Sequence, residues 1–212
     1  MRTKYHREIT SEALAPYFSH RALTVIIRAN IWQDSLRGQI GHDEFHYDNN
    51  AIEQSNLYIK KQRELVITNL EEHRAIKAWR AMGCLTHTAQ DFYAHSNYVA
   101  LWIGRLGNKE PDLKHLSFVD NSIINNPEFC FAKTYFPLDY FALFPKFGTI
   151  FKNMLPKDSH AWMNLDSPES GYLFKWAFHA AAKRTYYEYT EIIKMVQKKG
   201  SALLPVFSDL AL

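Results

Sequence analysis

Three side chains spaced four residues apart, His87, Asp91 and His95, pose the chemical question of this sequence. They lie in the run Leu85-Thr86-His87-Thr88-Ala89-Gln90-Asp91-Phe92-Tyr93-Ala94-His95-Ser96-Asn97, which holds no Gly and no Pro. A step of four residues turns an α-helix by only about 40°, so a helix here would set all three on one face. Two imidazoles and a carboxylate stacked over two turns make a nitrogen-and-oxygen metal site. Leu85, Ala89, Phe92, Tyr93 and Ala94 surround them, so the face is expected to turn inward. An Asp buried between two His is costly unless it is paired or bound to a cation. A polar face of satisfied histidines is the competing reading, and the apolar, aromatic setting favours metal.

The elements that must hold these groups read as helices. Residues 71–105 have almost no Gly, no Pro, and many Ala, Leu and aromatic residues, and are expected to form one central helix. Before it, helices are expected over 9–18, with Thr10 or Ser11 near the start, over 20–36, and over 51–70. Asp34 falls in the last turn of the second, where the helix dipole disfavours a carboxylate unless a cation is near. The loop 41–50 carries Gly41-His42-Asp43-Glu44-Phe45-His46-Tyr47-Asp48-Asn49-Asn50, and Asp48 or Asn49 suits the N-cap of the helix that follows. Residues 107–167 form a long irregular excursion with Tyr135-Phe136-Pro137 and Tyr140-Phe141-Ala142-Leu143-Phe144-Pro145, and short helices are expected over 117–125 and 147–154. Such an excursion is a lid, a membrane-touching surface, or simply packing against the helices. Ser167-Pro168-Glu169 has the signature of a helix start, and the last helix should run to Lys199 with Gly200 as its stop. Strand signals are nearly absent. The expectation is a single all-α domain, 1–212, with about five main helices.

Composition narrows the function. A charged fraction of 22% and an apolar fraction of 47% are ordinary for a globular chain, and a net charge of +3 is too weak for a stable nucleic-acid partner. Ten histidines against two cysteines point to metal ligands of nitrogen rather than sulfur, and Cys84 and Cys130 make no disulfide framework. No stretch reaches the length of a membrane-spanning helix. Met1-Arg2-Thr3-Lys4-Tyr5-His6 lacks the apolar core of a signal peptide, so a cytoplasmic chain is expected, or a secreted one if an export signal has been trimmed away.

Further His and Asp residues sit at element ends and in loops: His6, Asp34, His46, His160 and Asp166. With the first three they make eight candidate ligands. Tyr5-His6-Arg7-Glu8-Ile9-Thr10, Ile31-Trp32-Gln33-Asp34, Phe45-His46-Tyr47-Asp48-Asn49, the run from His87 to Tyr98 and His160-x5-Asp166-Ser167-Pro168 together resemble the zinc-dependent phospholipase C and single-strand nuclease superfamily. The nearest branch is that of the heterokaryon-incompatibility proteins. The resemblance implies an all-α bundle holding two or three zinc ions that cleaves a phosphoester, either a small molecule or a phospholipid, with transient contact to a membrane surface. By the same resemblance, Asp34, His46, His87 and Asp91 would surround one zinc, and His95, His160 and Asp166 a second. His6, with Asp91 as a bridge, would hold a third, and Asp34 would be the general base. Two other readings compete: a non-catalytic helical protein with a structural metal or an interaction surface, and an HD-type phosphohydrolase built on His42-Asp43 with an earlier His such as His20.

Overall fold

The computed structural model describes residues 1–107, 111–135, 137–139 and 148–210. Among them the fold is all-α, and the only β features are two isolated bridges, Ser96 with Phe131 and Lys133 with Ser159. The first helix, α1 (Thr3–Leu14), begins earlier than the sequence suggests and places His6 inside rather than before it. His6, Ile9, Thr10 and Leu14 form its buried face at helical spacing. Pro16 then falls in a separate 3-10 turn, Ala15–Tyr17, where it does not interrupt the α-helical ladder.

Helix α2 (His20–Trp32) starts on the Ser19 side chain, which accepts the Ala22 amide at 3.1 Å. It stops four residues short of the expected end. Ser35, in extended conformation, caps a new turn, α3 (Leu36–Gln39), by accepting from the Gly38 amide at 3.3 Å. Asp34 therefore sits in the turn between α2 and α3, not in the last turn of α2. After α4 (Asp43–His46), Tyr47 takes a left-handed conformation with φ 60°, and α5 (Ile52–Glu71) follows. Neither Asp48 nor Asn49 caps α5, whose N-cap is Ala51 without a side-chain bond. Asn49 and Asn50 turn instead to the excursion and accept the amides of Thr134 and Phe131.

The central run is two helices rather than one: α6 (Ala75–Ala94) and α7 (Tyr98–Arg105). Ahead of them, His73 at φ 55° and the Arg74 cap delay the start to Ala75. The break falls at residues 95–97. There the freed carbonyls of Ala94 and His95 accept the amides of Leu165 and Ala132, and Asn97 N–H reaches the Cys130 carbonyl. The helix end is thus satisfied by the excursion rather than by another turn.

Within the excursion lie a 3-10 turn, Leu113–His115, and the short helices α8 (Asn121–Ile124), α9 (Gly148–Met154) and α10 (His160–Met163). Phe136, Phe147 and the run Tyr140 to Pro145 lie outside the described residues. Ser167 heads only a single 3-10 turn, Pro168–Ser170, and it gives no side-chain cap. Gly171, at φ 111°, redirects the chain before the last long helix, α11 (Leu173–Lys199), which Gly200 ends at φ 146°. A short α12 (Leu203–Ser208) follows.

Helix α6 runs through the middle, packed on α2, α5 and α11, while α1 lies against α2 and α11. From Ala81 to Ala94 nearly every α6 side chain is buried. Gly83 permits the closest contact, for a Cβ there would sit 2.2 Å from the Ile26 carbonyl oxygen of α2. That approach brings the end of α2, and with it Asp34, to the turn of α6 that carries His87. No helix among the described residues is long and apolar enough to cross a membrane.

Candidate metal centre

Asp91, fully buried on α6, is the hub. Its Oδ2 lies 2.9 Å from His46 Nδ1 and 3.0 Å from His87 Nε2. Its Oδ1 lies 3.2 Å from His6 Nε2 and 4.0 Å from His95 Nε2. The Met1 amine, also buried, lies 2.5 Å from the same Oδ1 and 3.2 Å from Asp166 Oδ1. His46 and His87 face each other with nitrogens 3.2 Å apart, and Asp34 Oδ1 stands 3.7 Å from His87 Nε2. Thr3 Oγ1 donates to Asp34 Oδ2 at 3.2 Å.

A second group gathers on His95, the residue that caps α6. Its Nε2 is 3.2 Å from His160 Nε2 and 3.5 Å from Asp166 Oδ1, and its Nδ1 is 3.1 Å from Asp48 Oδ1. The face shared by His87, Asp91 and His95 therefore does not close on one point. The helix ends before His95, and the three side chains are divided between two groups.

Second partners fix the tautomers. A carbonyl only accepts, so His46 donates from Nε2 to the Gly38 carbonyl at 3.2 Å. His95 likewise donates from Nδ1 to the His46 carbonyl at 3.0 Å. His6 Nδ1 faces the oxygen of Gln90 at 2.6 Å. The Gln90 amide orientation is set because its nitrogen donates to Thr10 and Thr185, and Thr185 Oγ1 donates onward to the Ala181 carbonyl. Each of these imidazoles, when neutral, must then present a bare lone pair from its other nitrogen toward a carboxylate. His46 Nδ1 faces Asp91, His6 Nε2 faces Asp91, and His95 Nε2 faces Asp166. A lone pair against a carboxylate is repulsive unless a proton or a metal ion lies between them.

Electrostatics follow the same crowding. Burial opposes charge on His95 and His46, but the neighbouring Asp91 and Asp48 outweigh it and raise both above the ordinary histidine range. Burial and the adjacent His6 hold His87 down to about 4. Burial would lift Asp91 and Asp166, yet the Met1 amine and the imidazoles pull both well below the usual carboxylate range. Burial works against the charged Met1 amine as well, and the three aspartates overcome it and raise the amine to about 11. The buried atoms His6 Nε2, Asp48 Oδ1, Asp166 Oδ1 and His87 Nδ1 complete no hydrogen bond of proper geometry.

Within these groups, two sets of ligand atoms lie within 4.8 Å of one another, those of His6 with Asp34, His87 and Asp91, and those of Asp48 with His95 and His160, nitrogen-and-oxygen donors that could hold zinc or another divalent metal. Bonds of about 2.0–2.1 Å in a tetrahedron set ligand atoms roughly 3.3 Å apart. The spacings among His46 Nδ1, His87 Nε2, Asp91 Oδ2 and Asp34 Oδ1 run from 2.9 to 3.7 Å where they are in contact. His46 and His6 also have the outer partners that ligating imidazoles use, whereas His87 Nδ1 has none.

All eight residues singled out from the sequence lie in these two groups. Two further participants escaped sequence reading. By sequence Asp48 suits the cap of α5, although its place two residues after His46 in Phe45-His46-Tyr47-Asp48 is the available signal. Gln90, which orders His6, Asn30, Thr10 and Thr185 around one amide, carried no signal beyond its place beside Asp91. His42 and Asp43 lie apart from both groups: His42 stacks on Phe45 and contacts Glu44 at 3.0 Å, and Asp43 accepts from Asn49. His20 is exposed at the start of α2.

The chain belongs to the VWA7 N-terminal domain family, whose model matches residues 5–127. That match contains His6, Asp34, His46, Asp48, His87, Asp91 and His95, and it ends before His160 and Asp166. Comparison with curated proteins and with solved structures finds no match.

Proposed function

We propose that this member of the VWA7 N-terminal domain family is a zinc-dependent phosphoester hydrolase of phospholipase C-like type. Family membership names no reaction, so the reading rests on the side chains. The observation that supports it best is the set of imidazole nitrogens whose tautomers aim lone pairs at Asp91 and Asp166. Two or three divalent zinc ions bound there would polarise phosphoryl oxygens and acidify water near neutral pH.

The protein's own groups then have distinct tasks. Asp91, with one oxygen toward His46 and His87 and the other toward His6 and His95, would hold an ion on each oxygen. Its side chain is 1% exposed, so it does not meet substrate, whereas Asp34 is 16% exposed at the rim. Asp34 takes the proton from the attacking water, and Thr3 holds its second oxygen so that the first faces the cluster. Trp32, Leu36 and Ile40 are exposed on either side of Asp34 in the chain, apolar surface that would favour a lipid-bearing phosphoester met at a membrane surface.

The test is metal analysis of protein purified without added metal or chelator, with His87→Ala alongside, followed by hydrolysis of bis(p-nitrophenyl) phosphate. Two or more zinc ions per chain are expected, and fewer in the variant. Asp34→Asn should keep the fold and lose about 10²-fold or more of the rate. No metal in either protein would overturn the reading. A single ion with no hydrolysis would favour a structural metal instead.

A further inference from the structure

Tyr47 and Phe92 follow His46 and Asp91 in the chain, and they also wall a cavity of about 500 Å³ that contains none of the metal-centre ligands. Phe118 and Phe129 add apolar surface, while Arg63 of α5 and Arg184 of α11 supply charge. The size is that of a small-molecule site. Both guanidiniums converge on Glu188, which is fully buried: Arg184 Nε lies 2.6 Å from Oε1, and Arg63 reaches Oε2 from Nε at 2.7 Å and from Nη2 at 2.5 Å.

Two cations therefore share one carboxylate. Glu188 takes one donor of Arg184 and two of Arg63, and each guanidinium has five. The Tyr47 hydroxyl donates to Asn56 at 2.7 Å, and burial pushes its pKa up to about 12, so it stays neutral. Among the described residues lining the cavity no carboxylate answers the second charge. Two half-buried guanidiniums, 24% and 12% exposed, share one carboxylate beside five aromatic rings, which leaves a positive charge at the cavity wall suited to a bound anion.

We infer that this cavity binds a small carboxylate with an acyl or aryl body, its charge on Arg63 and Arg184 and its apolar part among Phe92, Phe118 and Phe129. One unmatched positive charge calls for a monoanion. The inference is independent of the metal centre.

The test is isothermal titration calorimetry of the full chain with octanoate, using 1-octanol and octylamine as neutral and cationic counterparts. Excess EDTA is included in a parallel series, so that binding of the carboxylate to metal is recognised separately. Ile124→Trp fills the cavity without touching a charge, and Arg63→Met removes one cation while Glu188 keeps Arg184. Saturable one-to-one binding of octanoate is expected, unchanged by EDTA and at least about tenfold weaker in each variant and for 1-octanol. No binding, wild-type affinity in both variants, affinity for 1-octanol equal to that for octanoate, or binding abolished by EDTA would overturn the inference. Should either variant fail to fold by circular dichroism, transferred nuclear Overhauser effects from the octanoate chain to the Phe118 and Phe129 rings of the wild type decide. Their presence supports the site and their absence removes it.

Discussion

At the residue scale, Asp91 concentrates more chemistry than any other side chain. Both oxygens are shared, and four imidazoles lie within 4.0 Å of them. Asp91→Asn keeps the shape but removes the negative charge and puts an NH2 group, which cannot ligate a metal ion, where one of two carboxylate oxygens stood. On the proposed two-zinc reading, metal content measured by emission spectrometry should fall by at least about half, because Asp91 would then serve two ions. Unchanged stoichiometry would contradict the bridging role. The i to i+4 pair His87 and Asp91 was legible because the helix itself makes that spacing meet. Asp48 was not, because its role depends on the left-handed turn at Tyr47, which swings it toward His95. A tyrosine at φ 60° carries no sequence signal of the kind that Gly gives.

At the scale of the elements, the contact between α2 and α6 decides whether Asp34 and His87 meet. Gly83→Ala would drive a methyl group into the Ile26 carbonyl and the Ala29 side chain. The helices must separate, and a cost of about 1–3 kcal/mol is expected, read as a lower midpoint in thermal unfolding. Metal content should fall with it, because the shift reaches Asp34. The positions of the long helices were readable from composition and spacing, α1 and α11 from a periodic buried face and α6 from a run rich in Ala and aromatic residues that is buried nearly all round from Ala81 to Ala94. Their ends were not. The halt of α2 at Trp32 depends on Ser35 starting a new turn, and Gln33 secures that turn by donating to the Cys84 carbonyl and accepting from Tyr58. The break after Ala94 needs amides from Ala132 and Leu165, which are remote in sequence. Long-range partners of this kind leave no local trace.

At the scale of the whole molecule, the described C-terminal residues are tied back to the head of α2. Asp209 accepts from the Ser19 hydroxyl and from Arg21, with Nε at 3.0 Å. These partners hold the Asp209 carboxyl below its ordinary value, through hydrogen bonds from Arg21 and Ser19 first. A carboxyl depressed by folding stabilises the fold above its unfolded pKa, and the contribution disappears as pH falls through the folded value. Asp209→Asn should therefore cost about 0.5 kcal/mol at pH 7, a small figure because Arg21 is largely exposed, and nothing in strong acid. Urea unfolding of both proteins at pH 7 and below pH 3 measures the difference. A gap that persists in acid would assign the cost to packing rather than charge.

The bridge between Lys133 and Ser159 carries a consequence for how such a protein can change over time. Lys133 receives the His160 amide on its carbonyl at 2.8 Å and gives its own amide to the Asp158 carbonyl at 2.8 Å. The chain is thereby pinched into a neck directly before His160. Asp139 and the Lys152 carbonyl brace the neck from within the loop, accepting the Ala161 amide at 2.9 Å and the Trp162 indole N–H at 2.8 Å, while lengthening a closed loop carries only a slowly growing entropic penalty. Residues inserted into that loop are expected to be tolerated so long as the neck and these two contacts keep His160 beside His95.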